Sequence, residues 1–376
     1  MTSTRITTIL GTRPELIRLA CIIDRLDQVF EHRLIHTGQN SDPSLSRVFL
    51  DEMKIRDPDA YLEISVGTLG SFLGDLFNAI EIEFNNYPPD AIVILGDTNS
   101  ALAGIIAKRR GIPVYHLEAG NRSFDQNVPE EINRHIVDHF SDFNMSYTSR
   151  ARENLIREGL HPRSLSVIGS PLNEVLLRFK SQIDKSPILK DLELNSGRYF
   201  LVSAHRQENV DDPHRLTKLI SALNAIAVKF EYPIIVSTHP RTKNKLELLN
   251  LQTNPLLNFH EPFGFFDYNK LQSHARIVFS DSGSVSEESV ILGFPAITIR
   301  HAHERPEGMD NGTLVMTGLK KNNVLNAIDI VTRQYNEEKY IPKTIVDYSD
   351  IDVSSKVVRI ILSYIDYINR TVWFKN

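Results

Sequence analysis

The run Ala91-Ile92-Val93-Ile94-Leu95-Gly96-Asp97-Thr98-Asn99-Ser100 decides how this chain folds. Five apolar residues with no polar alternate read as a strand buried on both faces, and Gly96-Asp97 reads as the turn that leaves it. Such a strand belongs to a parallel sheet, where crossovers are helices. On the N-terminal side, Ile6–Leu10 and Arg33–Thr37 have the same character. On the C-terminal side come Val114–Leu117, Asn144–Tyr147 and Ser166–Ile168. Tyr199–Ser203, Ile234–Thr238, Ile277–Ser280 and Ala296–Ile299 repeat the theme in the second half. With 376 residues there is chain for two full-sized cores. The expectation is an α/β protein of two Rossmann-like domains, 1–172 and 173–353, whose parallel sheets face one another across a cleft. The polar, Pro187-bearing stretch Ser181–Gly197 reads as the connection between them. A final helix over Ser354–Ile368 carries Val358, Ile361, Ile365 and Ile368 on one face, which reads as packing against the body of the protein.

Composition narrows the function. Forty-two Lys and Arg stand against 47 Asp and Glu, a net charge of -5. Neither half is conspicuously basic, so a nucleic-acid partner is not expected. Cys21 is the only cysteine, which excludes internal disulfides and cysteine-rich zinc sites. Met1–Leu10 lacks the apolar core of a signal peptide, and no run reaches membrane-spanning length. These features predict a soluble cytoplasmic protein with no membrane partner.

In parallel sheets, ligands bind beyond the C-terminal strand ends, so the turns there are the places to look for chemistry. Gly11-Thr12-Arg13-Pro14-Glu15 puts Arg13 beside a helix N-terminus, where amide donors favour an anion. It lacks G-x-G-x-x-G, so a nicotinamide cofactor is not supported. Asp97 ends its strand as either a site carboxylate or a helix cap. Glu118 follows another strand in His116-Leu117-Glu118-Ala119-Gly120-Asn121-Arg122, either functional or paired with Arg122. Pro129-Glu130-Glu131-Ile132-Asn133-Arg134 opens a helix with Ile132, Ile136 and Phe140 as its buried stripe. Glu130 and Arg134 share another face at i, i+4 spacing. Ser203–Asn209 brings His205 and Arg206 after a strand, and Thr238-His239-Pro240-Arg241 ends the next. Asp281-Ser282-Gly283-Ser284 enters a helix as a phosphate cradle, with Glu288 in reach of ribose hydroxyls. A capping box of Ser284 and Glu287 is the plainer reading of that turn. Arg300–Glu307 is a further anion candidate that includes Arg305. His301 and His303, and His135 and His139, have metal-pair spacing but belong to no H-E-x-x-H pattern, and they read as hydrogen-bonded histidines with no metal. Tyr335 and Lys339 match a dehydrogenase pair by chance, since no glycine-rich nucleotide loop accompanies them.

Taken in order, Gly11–Glu15, Gly96–Thr98, Glu118–Arg122, Pro129–Arg134, His205–Asn209, Asp281–Glu288 and Glu304–Glu307 resemble the non-hydrolysing UDP-N-acetylglucosamine 2-epimerase family. The resemblance implies the glycosyltransferase-B arrangement, a C-terminal helix (354–376) returning to the first domain, and a homodimer. It also implies a UDP-sugar substrate and no cofactor. In this family a base takes the C2 proton as UDP leaves C1, giving a 2-acetamidoglycal, and UDP re-adds after the proton returns to the other face. The residues it implies for catalysis are Asp97, Glu118, Glu130 and His205. Those for substrate binding are Arg13, Arg18, Arg122, Arg134, His239, Ser282, Gly283, Ser284, Glu288 and Arg305.

Several positions depart from the common pattern. Arg18 stands where Lys is usual, Gln207 replaces the second Arg of His-Arg-Arg-Glu-Asn, and Ser284 replaces the second Gly of Asp-Ser-Gly-Gly. Asn40-Ser41-Asp42 after Gln39 replaces a His-rich segment found in enzymes activated by a second substrate molecule, so such activation is not expected. Asn121-Arg122-Ser123-Phe124-Asp125 replaces Leu-Arg-x-Gly-Asp, and Arg300–Thr313 also differs. Both segments look like the capsule and O-antigen enzymes that convert UDP-N-acetyl-L-talosamine to UDP-N-acetyl-L-fucosamine. The alternatives are interconversion of UDP-N-acetylglucosamine and UDP-N-acetylmannosamine, and a glycosyltransferase of the same architecture.

Overall fold

The computed structural model describes residues 4–39, 43–64, 67–204, 209, 212–238, 242, 245, 246, 248, 249, 251–300, 302, 304–336, 338 and 345–375. The chain divides into two compact units, Met1–Arg178 with Val346–Asn376, and Phe179–Ile345. Among the described residues no helix is long and apolar enough to cross a membrane.

The first unit is a seven-stranded parallel sheet. Its strands are β1 (Arg5–Leu10), β2 (Glu31–His36), β3 (Ala60–Tyr61), β4 (Ala91–Leu95), β5 (Val114–Leu117), β6 (Phe143–Ser146) and β7 (Leu165–Val167). They lie in the order β3-β2-β1-β4-β5-β6-β7. The sheet therefore reverses direction between β1 and β4, the place where open α/β sheets leave a crevice for ligands. Helices α1 (Arg13–Val29), α2 (Pro43–Met53), α3 (Leu69–Asn86), α4 (Gly104–Arg109), α5 (Pro129–Phe140), α6 (Ser149–Arg157) and α7 (Pro171–Arg178) form the crossovers. All five residues of β4 are buried, as an unalternated apolar run requires. Two-residue β3 sits at the edge, too short to show a periodic signal in the sequence.

Helix α7 belongs to this unit because it packs on α1, where Arg178 pairs with Asp24. The last helix, Val353–Thr371, also packs on α1 and buries Val357, Val358, Ile361, Ile365 and Ile368. Tyr364 of that helix packs against Phe143 with ring centroids 4.5 Å apart and the planes tilted by 47°.

Helix α5 does not bury the apolar stripe expected of it. Ile132 and Ile136 are 51% and 41% exposed, while Glu131, Arg134, Val137 and Asp138 face inward. A charged face can turn inward because its members meet opposite charges there, which offsets desolvation that would otherwise forbid it.

The second unit is a six-stranded parallel sheet of β8 (Phe200–Ser203), β9 (Ile234–Ser237), β10 (Leu257–His260), β11 (Ile277–Ser280), β12 (Ala296–Thr298) and β13 (Leu314–Met316). The order β10-β9-β8-β11-β12-β13 reverses between β8 and β11. Alternate residues serve opposite cores. Phe200 and Val202 join Leu216, Leu223 and Ile328 on one face, and Tyr199 and Leu201 join Leu271, Val285 and Phe294 on the other. Strands β10 and β13 complete the edges beyond those expected from the sequence.

Candidate active site

In the first unit the carboxylates gather at the C-terminal ends of β1, β4 and β5. Gly11 ends β1 in a place that only glycine fits, since a Cβ would lie 2.1 Å from Ser100 Oγ and 2.2 Å from Thr37 Oγ1. Pro14 occupies the first turn of α1, and Glu15 folds back over that turn. Glu15 Oε2 accepts the Gly11 N–H at 3.1 Å and the Thr12 hydroxyl at 2.6 Å, while Oε1 accepts the Thr98 hydroxyl at 3.0 Å. Burial pushes the Glu15 carboxyl up to about 7, and these hydrogen bonds only partly oppose that. Glu15 thus ties the β1 turn to the β4 turn across the reversal of strand order. Arg13 is half-buried, with its guanidinium 5.2 Å over the Phe49 ring.

Asp97 is not a helix cap, because Thr98 holds that position for the short helix Asn99–Ala103. Its Oδ2 instead accepts Arg134 Nε and Nη2, each at 2.6 Å, and its carbonyl accepts the Asn133 side-chain amide at 2.9 Å. Arg134 Nη1 donates to Glu131 Oε2 at 2.8 Å. The expected Glu130–Arg134 neighbours therefore do not pair. Helical spacing brings Cβ atoms together, but Arg134 turns inward to two stronger partners while Glu130 stays at the half-buried rim. Among the described residues the Glu130 carboxylate has no hydrogen-bond or ion-pair partner.

Glu118 leaves β5 with φ 69°, a left-handed conformation that is unfavourable for a residue with a side chain. Strain of this kind gathers at functional sites. Its partner is not Arg122. Arg18, buried on the second turn of α1, sets Nε 3.4 Å from Glu118 Oε2, and Asn121 Nδ2 donates to Oε1 at 3.3 Å. Arg122 is drawn behind this loop by two other carboxylates, Glu158 and the fully buried Asp138. It donates to both oxygens of Glu158 at 2.7 and 2.6 Å and pairs with Asp138 at 2.7 Å. Desolvation works to raise Asp138, but His116 and Arg122 outweigh it and hold the carboxyl below its usual range. The sequence reading passed over Asp138 and Glu131. Glu131 is fully buried and accepts the Ser123 and Phe124 N–H groups, each at 2.9 Å. Those bonds and Arg134 overcome its desolvation and keep it ionised to lower pH than usual. For Glu131, its place in the first turn of α5 was the sequence signal.

In the second unit the Ser282-Gly283-Ser284 turn follows β11. Ser282 Oγ lies 2.9 Å from Ser284 Oγ, and the Ser282 N–H donates to Ser280 Oγ at 3.0 Å. The capping box does not form. Ser284 is helical in backbone and makes no side-chain cap, and Glu287 instead pairs with Arg305. A Cβ at Gly283 would meet Glu304 Oε1 at 2.2 Å, so the glycine lets that carboxylate lie against the turn. Glu304 itself is held by Arg300 Nη1 at 2.6 Å. Glu288 accepts the Gln272 side-chain amide at 2.6 Å and is half-buried. Asp281 accepts Asn209 Nδ2 at 3.0 Å beside the β8–β11 reversal. His205 and His239 lie outside the described residues, as do Arg206, Gln207, His301, His303 and Lys339.

Two Rossmann-like units, one with paired carboxylates and arginines at its strand ends and one with a serine-rich turn opening a helix, set the frame for comparison. A family model described as UDP-N-acetylglucosamine 2-epimerase matches residues 24–362. The chain belongs to that family. Its fold is similar to that of UDP-N-acetylglucosamine 2-epimerase from Rickettsia bellii, with a TM-score of 0.92 and 46% identity, over 99% of this chain and 100% of that one. The Methanocaldococcus jannaschii UDP-GlcNAc 2-epimerase in complex with UDP-GlcNAc and UDP is similar over 96% of this chain and 100% of that one, with a TM-score of 0.88 and 34% identity. A UDP-2,3-diacetamido-2,3-dideoxy-D-glucuronate 2-epimerase from Pseudomonas aeruginosa is 33% identical, over 86% of this chain and 91% of that one. The calicheamicin glycosyltransferase CalG4 shares the glycosyltransferase-B fold alone, at 13% identity and a TM-score of 0.54, over 99% of this chain and 100% of that one. The family member described here is an enzyme, a UDP-sugar 2-epimerase.

Proposed function

We propose that this enzyme interconverts UDP-N-acetylglucosamine and UDP-N-acetylmannosamine by eliminating and re-adding UDP. The observation that carries the reading is Glu118, a carboxylate in a strained backbone conformation at a strand end, held by Arg18 and Asn121. The similarity to the UDP-N-acetylglucosamine 2-epimerases of Rickettsia bellii and Methanocaldococcus jannaschii supports UDP-N-acetylglucosamine as the substrate. A C2 proton is too weakly acidic to be lost alone at neutral pH, and its removal becomes feasible as the C1–O bond to UDP breaks. The electron pair of the C–H bond forms the C1–C2 double bond of the glycal, and UDP leaves with the C1–O pair. Inversion needs one acid–base group on each face of C2. Glu118 and Glu130 are assigned those roles, with Asp97 as a third acid–base or orienting group fixed by Arg134. Arg13, His205 and Ser282 are assigned to the departing diphosphate, whose charge grows in the transition state. Glu288 is assigned to the ribose. The family resemblance further supports a homodimer, and the single buried thiol, Cys21, fits the reducing cytoplasm.

A second sugar is favoured by one specific feature. Asn121 stands where the common pattern has Leu, and its amide touches Glu118 directly. A polar group against this carboxylate supports a differently substituted sugar, and conversion of UDP-N-acetyl-L-talosamine to UDP-N-acetyl-L-fucosamine for capsule or O-antigen synthesis is the second reading.

Proton NMR of the purified enzyme in deuterated water tests both. Product from UDP-N-acetylglucosamine with deuterium at C2 is the expected result. Turnover of the talosamine compound alone would select the second sugar. Product with its C2 hydrogen retained would overturn the elimination route. Sugar released from UDP without return would mark a hydrolase, and consumption only when an acceptor is present would mark a glycosyltransferase.

A further inference from the structure

We propose that His135, His139 and Glu158 form a binding site for one divalent cation of the zinc class on the first unit. The two histidines stand one turn apart on α5, and Glu158 closes the C-terminus of α6 beside them. One ligand atom from each of the three lies within 4.8 Å of the others. Two imidazoles and a carboxylate are the donor set that suits zinc, with an open position for water.

The hydrogen bonding prepares both rings. His139 Nδ1 lies 2.8 Å from the His135 carbonyl oxygen. A carbonyl can only accept, so Nδ1 carries the hydrogen and Nε2 keeps its lone pair for a metal. His135 faces carboxylates on both sides, with Nδ1 3.6 Å from Glu158 Oε2 and Nε2 4.0 Å from Glu131 Oε1. A metal on Nδ1 leaves the Nε2 hydrogen on the side of Glu131, whose carboxylate 4.0 Å away favours that tautomer electrostatically. The ring centroids are 6.4 Å apart and nearly stacked. Bonds of about 2.0–2.2 Å require the three ligand atoms to draw together. The exposed His139 ring and the 39%-exposed His135 side chain can turn without disturbing the core.

Charge favours a cation here. Among the described residues, the four carboxylates of Asp97, Glu131, Asp138 and Glu158 are joined to two guanidiniums, Arg122 and Arg134, and to the His116 imidazole, so carboxylates outnumber cationic partners in the network. Glu158 Oε2 already accepts Arg122 Nη2 at 2.6 Å, but a carboxylate oxygen has a second lone pair to offer. The ion would stand one residue removed from Arg122, whose Nη1 also holds the Asn121 carbonyl at 2.7 Å.

Calorimetric titration of chelator-treated enzyme with zinc chloride tests this, alongside His135→Ala and His139→Ala. Wild type should bind one ion per chain in the micromolar range, and each variant should weaken that binding at least tenfold. Cobalt in place of zinc should give a visible absorption band that His139→Ala removes. His139→Ala should keep both the circular dichroism and the ion-free epimerase activity of wild type, since its ring is exposed and carries no assigned catalytic role. Wild-type affinity in both variants, or no binding by wild type at micromolar zinc, would overturn the proposal.

Discussion

Thr98 donates its hydroxyl to Glu15 across the reversal of strand order, 3.0 Å from oxygen to oxygen. One carboxylate, buried and raised to about 7, therefore couples the β1 turn to the β4 turn that carries Asp97. A folded-state value above the unfolded one means that native Glu15 binds a proton that the unfolded chain has lost. Its contribution to stability is complete below the unfolded value and fades as pH rises through 7. The neutral variant Glu15→Gln has no such dependence. Between pH 5 and pH 8 its stability should rise relative to wild type by an amount on the order of 3 kcal/mol. Parallel urea melts of the two proteins across that range check this, and a constant difference would refute the buried, titrating carboxyl.

Glu118→Gln and Glu130→Gln keep side-chain size but cannot accept a proton. Each should lower turnover by about 10²–10⁴-fold, the range for loss of general acid–base catalysis. UDP affinity should be nearly unchanged, because the lost interaction belongs to the transition state. Steady-state kinetics beside UDP calorimetry separates the two quantities. Normal turnover in either variant removes that residue from the mechanism.

Arg134 pairs with both Asp97 and fully buried Glu131. Arg134→Met should cost about 3–5 kcal/mol, since removing one partner of a buried pair strands the other charge. Chemical denaturation measures it. A loss under 1 kcal/mol, roughly that of an exposed pair, would show that the network is not buried in solution.

Gly120 has φ 87°, and a Cβ there would fall 2.2 Å from the Ala151 carbonyl oxygen. Gly120→Ala combines backbone strain with a clash against main chain that cannot turn aside. The melting temperature should fall by several degrees, consistent with roughly 1–3 kcal/mol for the strain alone. An unchanged melting curve would show that α6 yields.

Ser282→Ala removes a hydroxyl from the turn that opens the helix Val285–Leu292. If that turn holds the diphosphate, UDP affinity should drop by about 1.5–3 kcal/mol, the worth of a hydrogen bond to a charged group. Arg13→Ala should do the same. Equal affinity in both variants would take the diphosphate away from these two turns.

Ala91–Leu95 was legible because a strand buried on both faces needs apolar residues throughout. That pattern is local, and the sheets, their parallel sense and the strand-end turns follow from it. The strained turn at Glu118 and the tightly packed Gly11 and Gly283 also fall where a strand signal stops. Helix α5 was misread for a physical reason. Periodicity marks which residues share a face, but not which face turns inward when charged residues have partners waiting. Ile132 and Ile136 formed the clearer stripe, and Glu131, Arg134 and Asp138 took the interior.

Strand character, helix spacing and turn chemistry were thus determined by the sequence, because each depends on neighbours a few residues away. Only the tertiary structure decided the partners: Arg18 for Glu118, Asp97 for Arg134, and Glu158 for both Arg122 and His135. Those choices depend on the strand order β3-β2-β1-β4-β5-β6-β7, which brings the ends of β1, β4 and β5 side by side. A charged side chain pairs with whichever opposite charge the packed sheet places within reach, and distance along the chain carries no record of that.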